Sequence, residues 1–157
     1  MDAERSPGVT YLELVAVATI MMILTSAILP LGKVTMKRQR ELELRRALRE
    51  LRQKIDAYKA AVDAGQIGGT EVKLGSEGYP PDLETLVKGV NRVGALDRKL
   101  KFLRRIPVDP MTGSAEWGMR CYQDDSDSNS WCGENVYDVY SKSTAKALDG
   151  KTTYDTW

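Results

Sequence analysis

The chain reads as an α+β protein, and three observations lead there. An uncharged apolar run extends from Leu14 to Leu31. An apolar stripe at alternating spacings of three and four then runs from Leu44 to Val62, which is the signature of one buried helix face. After Gly65 the chain becomes rich in turn residues, and two short stretches, Trp117 to Tyr122 and Val136 to Ser141, read as strands. A long N-terminal helix covering a small sheet follows from this order.

The apolar run sets the first element. At helical rise, Leu14 to Leu31 extends roughly 27 Å, close to the hydrocarbon thickness of a bilayer, so it is expected to span a membrane. Glu13 stands at its start, where a carboxylate is costly in lipid and needs a partner. Ahead of it lies the short polar leader Met1 to Gly8, and the one small-residue processing position, Gly8, precedes the apolar run rather than following it. Cleavage there would retain the helix, unlike a secretory signal peptide.

The second element carries Leu44, Leu48, Leu51, Ile55, Tyr58 and Val62 on one face and Arg45, Arg46, Arg49 and Arg52 among its polar residues. It can cover a sheet or join a coiled coil. Gly65 is the expected stop, and Pro30 with Gly32 predicts a kink or a local loss of helix. A short helix is expected after Asp82, which follows Pro80-Pro81 and suits a helix start. Pro107 and Pro110 withhold two backbone donors, so their segment is a rigid connector rather than an interior strand.

Gly8-Val9-Thr10-Tyr11-Leu12-Glu13 resembles the type III signal of type IV pilins and type II secretion pseudopilins. Further likeness to the major pseudopilins lies in Tyr79-Pro80 followed by Leu83 and Leu86, and in Pro107-Val108-Asp109-Pro110. The resemblance implies a type IV pilin-like fold, with a long N-terminal helix, transmembrane then amphipathic, packed on a small C-terminal antiparallel sheet. It divides the chain into a leader at 1–8, a transmembrane and assembly helix at 9–32, an amphipathic helix at 33–65 and a globular α+β domain at 66–157. It further implies that a prepilin peptidase cuts between Gly8 and Val9 and methylates the Val9 amine, and that Glu13 pairs with a neighbour's amine during filament assembly. The implied location is the bacterial inner membrane, single-pass, with the C-terminal domain in the periplasm. Lys33, Lys37, Arg38 and Arg40 would by the positive-inside rule give the opposite orientation, although that rule is weak for long translocated domains.

Cys121 and Cys132 are the two cysteines. In the orientation the resemblance implies they lie outside the cytoplasm, where a disulfide is favoured; their spacing is not the redox-active Cys-x-x-Cys. Major pseudopilins end in a calcium-binding loop, and the corresponding region here offers Asp149 and Asp155. Lys142 and Lys146 would repel a divalent cation there, so backbone carbonyls would have to join. A rival calcium set is Asp125, Asp127 and Asn129, at alternate positions as in an EF-hand loop but without its glycine and closing glutamate.

Lys+Arg number 23 against Asp+Glu 22, a net charge of +1 in 157 residues, which argues against general attraction to nucleic acid. Histidine is absent, removing Ser-His-Asp chemistry and the common zinc protease sites, and no glycine-rich phosphate loop supports an enzyme. The function the resemblance implies is that of a structural pseudopilin that polymerises with itself into a periplasmic pseudopilus driving type II secretion, with an inner-membrane assembly platform and minor pseudopilins as partners. A type IV pilus subunit for adhesion, motility or DNA uptake is the alternative.

Overall fold

The computed structural model describes residues 10–69 and 71–157, apart from the side chains of 27–31 and 95–97. Gly8 and Val9, the expected processing and methylation positions, lie outside the described residues. The protein is α+β. Its elements are α1 (Tyr11–Asp63), α2 (Leu83–Lys88), β1 (Val90–Arg92), β2 (Ala95–Leu100), β3 (Gly118–Arg120), β4 (Asp138–Tyr140) and a 3₁₀ turn (Tyr154–Thr156). The chain forms two compact units, one ending at Arg38 and the other running from Gln39 to Trp157.

Among the described residues no helix is long and apolar enough to cross a membrane, so a single-pass inner-membrane location through 9–32 is not supported. The described stretch 10–26 carries Glu13, Thr19, Thr25 and Ser26 among its apolar residues. The expected loss of helix at Pro30 and Gly32 does not occur either, because α1 continues through them. A helix can carry an internal proline by giving up one backbone bond.

In the second unit α1 buries its stripe. Leu44, Leu51, Ile55 and Tyr58 are fully buried and Leu48 nearly so, and they share one core with Leu86, Val90, Val136, Val139 and Tyr154. At about 25 cal/mol per Å² of apolar surface, each such side chain contributes about 1.5–3 kcal/mol before conformational entropy is subtracted. The helix stops as expected at Gly65, in the left-handed region at φ 66°. The Gly65 amide donates to the Val62 carbonyl and the Gln66 amide to that of Ala61, the paired bonds of a Schellman cap. Asp82 caps α2, its carboxylate accepting from the Thr85 amide at 2.6 Å.

The sheet is divided. β3 pairs with β4, Met119 opposite Val139, in the two stretches expected as strands. A second antiparallel ladder, β1 with β2, was not legible: Val90 pairs with Leu100, and the register shifts between Asn91 and Arg92. Its strands are rich in Lys and Arg instead of β-branched residues, so tertiary pairing overrides weak local propensity. Gly118 sits opposite Tyr140, and a Cβ built there would lie 2.3 Å from the Tyr140 ring, so only glycine fits this register.

The connector between β2 and β3 is fastened at both sides. Asp109 is fully buried; its carboxylate accepts from the Met111 amide at 2.8 Å and the Ser141 hydroxyl at 2.7 Å. The Trp117 indole donates to the Pro107 carbonyl at 2.9 Å. The two prolines thus fix the backbone, and the aspartate between them ties it to the end of β4.

Candidate functional site

The first unit carries the feature with most functional content. Every large apolar side chain from Tyr11 to Leu24 is at least 44% exposed. These residues occupy consecutive positions, Tyr11-Leu12 and Met21-Met22-Ile23-Leu24 among them, so the apolar surface wraps the helix. The hydroxyls of Thr19, Thr25 and Ser26 donate back to the carbonyls of Val15, Met21 and Ile23 at 2.7 Å. Their polar atoms are satisfied within the helix and make no demand on water. A helix apolar on all sides is stable only when covered.

Glu13 is the acidic residue of the first turn and has no hydrogen bond or ion pair among the described residues. Its position also has a local explanation that the sequence reading overlooked. The Thr10 carbonyl accepts from the Leu14 amide at 3.1 Å, so Thr10 stands at the helix boundary and Thr10-x-x-Glu13 has capping-box spacing. A carboxylate there also favours the helix dipole, by about 0.3–1 kcal/mol.

In the second unit, charged side chains dock the tail and β4 onto α1. Arg52 donates through Nε to Asp138 Oδ1 at 2.6 Å, and through Nη2 to Asp138 Oδ2 and the carbonyls of Val139 and Trp157. Arg120 approaches Asp138 from the other side at 3.7 Å and lies over the Tyr140 ring. Glu41, nearly buried, accepts from the Leu148 amide at 2.7 Å and the Tyr154 hydroxyl at 2.9 Å. Only the i,i+3 and i,i+4 neighbours of these residues are visible in a sequence. Their partners stand far off in the chain.

Cys121 and Cys132 form a disulfide, closing the loop that holds Asp125, Asp127 and Asn129. Arg120 donates to the Ser128 carbonyl at 2.7 Å and the Tyr140 hydroxyl to that of Asn129 at 3.2 Å, so β3 and β4 fasten the loop from inside. Asp127 and Asn129 meet Asp155 and Arg120 around a cleft of about 170 Å³. Asp155 of the first expected calcium set and Asp127 and Asn129 of the second thus line the same cleft, and Asp149 does not. Asp155 Oδ1 is buried there without a hydrogen bond.

The residues present do not fit a calcium cage. Asp149 spends its carboxylate on the turn, accepting from the Lys151 amide at 2.8 Å, the Thr152 amide at 3.0 Å and the Thr152 hydroxyl at 2.7 Å. The Thr152 amide, followed by the Thr152 hydroxyl and the Lys151 amide, holds its carboxyl below the usual carboxylate range. The Arg120 guanidinium opposes a divalent ion in the other cleft, and Asp125 is solvent-exposed outside its lining. Among the described residues the one close group of ligating types is Cys121, Asp124 and Cys132. Its sulfurs are bonded to each other and unable to ligate as thiolates.

No protein family, curated protein or solved structure matches the chain. Its function is therefore argued from its own residues.

The docked tail has a pH signature. Burial first, then the Glu41 hydrogen bond and the Glu41 charge, push the Tyr154 hydroxyl up from 10.0 to about 12. Because the folded value is the higher one, this contribution is complete below pH 10 and is lost as pH rises through about 12. Denaturant melts should lose about 2–3 kcal/mol of stability over that window through this residue. Tyr154→Phe should flatten that part of the profile, while an unchanged alkaline slope would exclude Tyr154 as its source.

Proposed function

We propose that this chain is a structural subunit of the pilin type, a pseudopilin that polymerises with other copies of itself into a pseudopilus serving protein secretion. The observation that carries the reading is the exposed helix from Tyr11 to Leu24, apolar on every side and bearing one carboxylate, Glu13, in its first turn. Helices of the same kind from neighbouring copies supply the apolar cover it needs. The resemblance of Gly8 to Glu13 to the type III signal supplies the partner for Glu13: the amine released at Val9 of a neighbour. Pairing the two removes the cost of leaving either charge alone in an apolar bundle. A compact, disulfide-closed second unit suits a subunit that must keep its shape within a polymer, and the pilin-like fold is part of this proposal.

The decisive variants separate charge pairing from helix capping. Glu13→Val should reduce filaments recovered by shearing and seen by microscopy by about tenfold or more, since a neighbour's amine then lacks its partner. Glu13→Gln preserves a capping-box residue and removes only the charge; it should fail almost as severely. Normal filaments from Glu13→Gln would overturn the pairing role and leave Glu13 as a helix cap.

A further inference from the structure

The second unit carries two charged surfaces whose side chains are only partly committed within the chain. The first is a groove of about 570 Å³ on α1. Arg45, Arg46, Arg49 and Arg52 line it, with Leu42 and Trp157 giving it an apolar component. Arg52 is committed to Asp138, and Arg45 lies 4.4 Å from the centre of the Trp157 ring. Arg49 donates only to the carbonyl of Arg45, and neither Arg46 nor Arg49 has an acidic partner among the described residues. Glu43 and Glu50 belong to the same helix but do not line the groove.

The second surface is the disulfide-closed loop. Between Cys121 and Cys132 the sequence contains Asp124, Asp125 and Asp127 and no lysine or arginine. Asp124 accepts from the Cys121 amide. Asp125 and Asp127 are exposed, and their carboxylates have no hydrogen bond or ion pair among the described residues. Tyr122 and Trp131 add aromatic surface beside them, 55% and 37% exposed. The loop is held by the disulfide and by Arg120, so little ordering would remain to be done on binding.

We propose that the arginine groove of one copy receives the acidic, disulfide-closed loop of a second copy. The match is of charge and of surface type: two uncommitted guanidiniums beside Leu42 and Trp157 face two uncommitted carboxylates beside Tyr122 and Trp131. Guanidiniums bind carboxylates bidentately and stack on aromatic faces, so a groove made of arginine suits such a loop better than one of lysine would. Groove and loop are different patches of the same chain. Each copy can therefore give its loop to one neighbour and its groove to another, the heterologous contact that builds open polymers. This contact rests on the filament reading and assigns the second unit its own part in assembly.

The test uses full-length chains carrying two different tags, with co-purification measured at low and high salt. Arg46→Glu with Arg49→Glu should weaken association about tenfold or more, as should Asp125→Lys with Asp127→Lys. Mixing the two reversed chains should restore it, because the acidic groove of one then meets the basic loop of the other. Thermal melts of both variants should match the parent, since none of the four side chains makes an ion pair among the described residues. Parent-like association of either variant alone, or no recovery on mixing, overturns the contact. So does a duplex DNA probe whose binding is abolished by the arginine reversal while self-association persists. If the parent polymerises through Glu13 and is indifferent to both reversals, only this contact fails; if the parent copies do not associate at all, the filament reading fails with it.

Discussion

Replacing both Cys121 and Cys132 by serine should lower the stability of the second unit by about 2–5 kcal/mol while leaving its fold recognisable. The bond crosses eleven positions, and in the chain-entropy model closing a loop of this length contributes roughly 3 kcal/mol by restricting the unfolded chain. The loss is large for this unit because the enclosed segment has few other anchors. From Tyr122 to Ser130 no side chain belongs to the core, and the loop is otherwise fastened by the Tyr122 ring against Tyr79 and Tyr137 and by hydrogen bonds from Arg120, Tyr140 and the Asn135 side chain. Denaturant melts of the oxidised parent and the double variant give the difference directly. Equal midpoints and slopes would mean that those contacts hold the loop without the disulfide.

Glu41→Ala should cost about 3–5 kcal/mol and release the tail. A single oxygen, Glu41 Oε1, satisfies both the Leu148 amide and the Tyr154 hydroxyl, and Tyr154 is 1% exposed. Removing the carboxylate leaves two donors unpaired in a nearly dry site, at about 1–3 kcal/mol each. Hydrogen exchange should then quicken across 145–157 before the rest of the unit, because the ties that remain are the Arg52 bond to the Trp157 carbonyl, the Arg45 contact with the Trp157 ring and short turns such as that capped by Asp149. Glu41→Gln, which keeps an acceptor oxygen, should be milder. Uniform loss of protection across the whole unit would show that the tail has no separate stability.

The legible parts of the fold were those governed by spacing along one element. The stripe from Leu44 to Val62, the stop at Gly65 and the cap at Asp82 depend on neighbours within a turn or two, so period and residue type suffice. The β1–β2 ladder was missed because Arg92, Arg98 and Lys99 give no strand signal and the pairing itself supplies the order. The membrane expectation rested on the uncharged run from Leu14 to Leu31, and among the described residues no helix is long and apolar enough to cross a membrane.

By itself the sequence determined that a long helix precedes a small α+β unit, that Asp109 lies in a proline-fixed connector, and that Glu13 is the one charge at the head of an apolar stretch. Tertiary structure decided where distant charges meet. Glu41 finds Tyr154 and Leu148, and Arg52 finds Asp138. It also removed Asp149 from the calcium question by engaging its oxygens in a turn. Local spacing fixes which face of an element is apolar, because the backbone repeats every few residues. No such repeat links positions a hundred residues apart, and only packing of the core brings those side chains within hydrogen-bond reach.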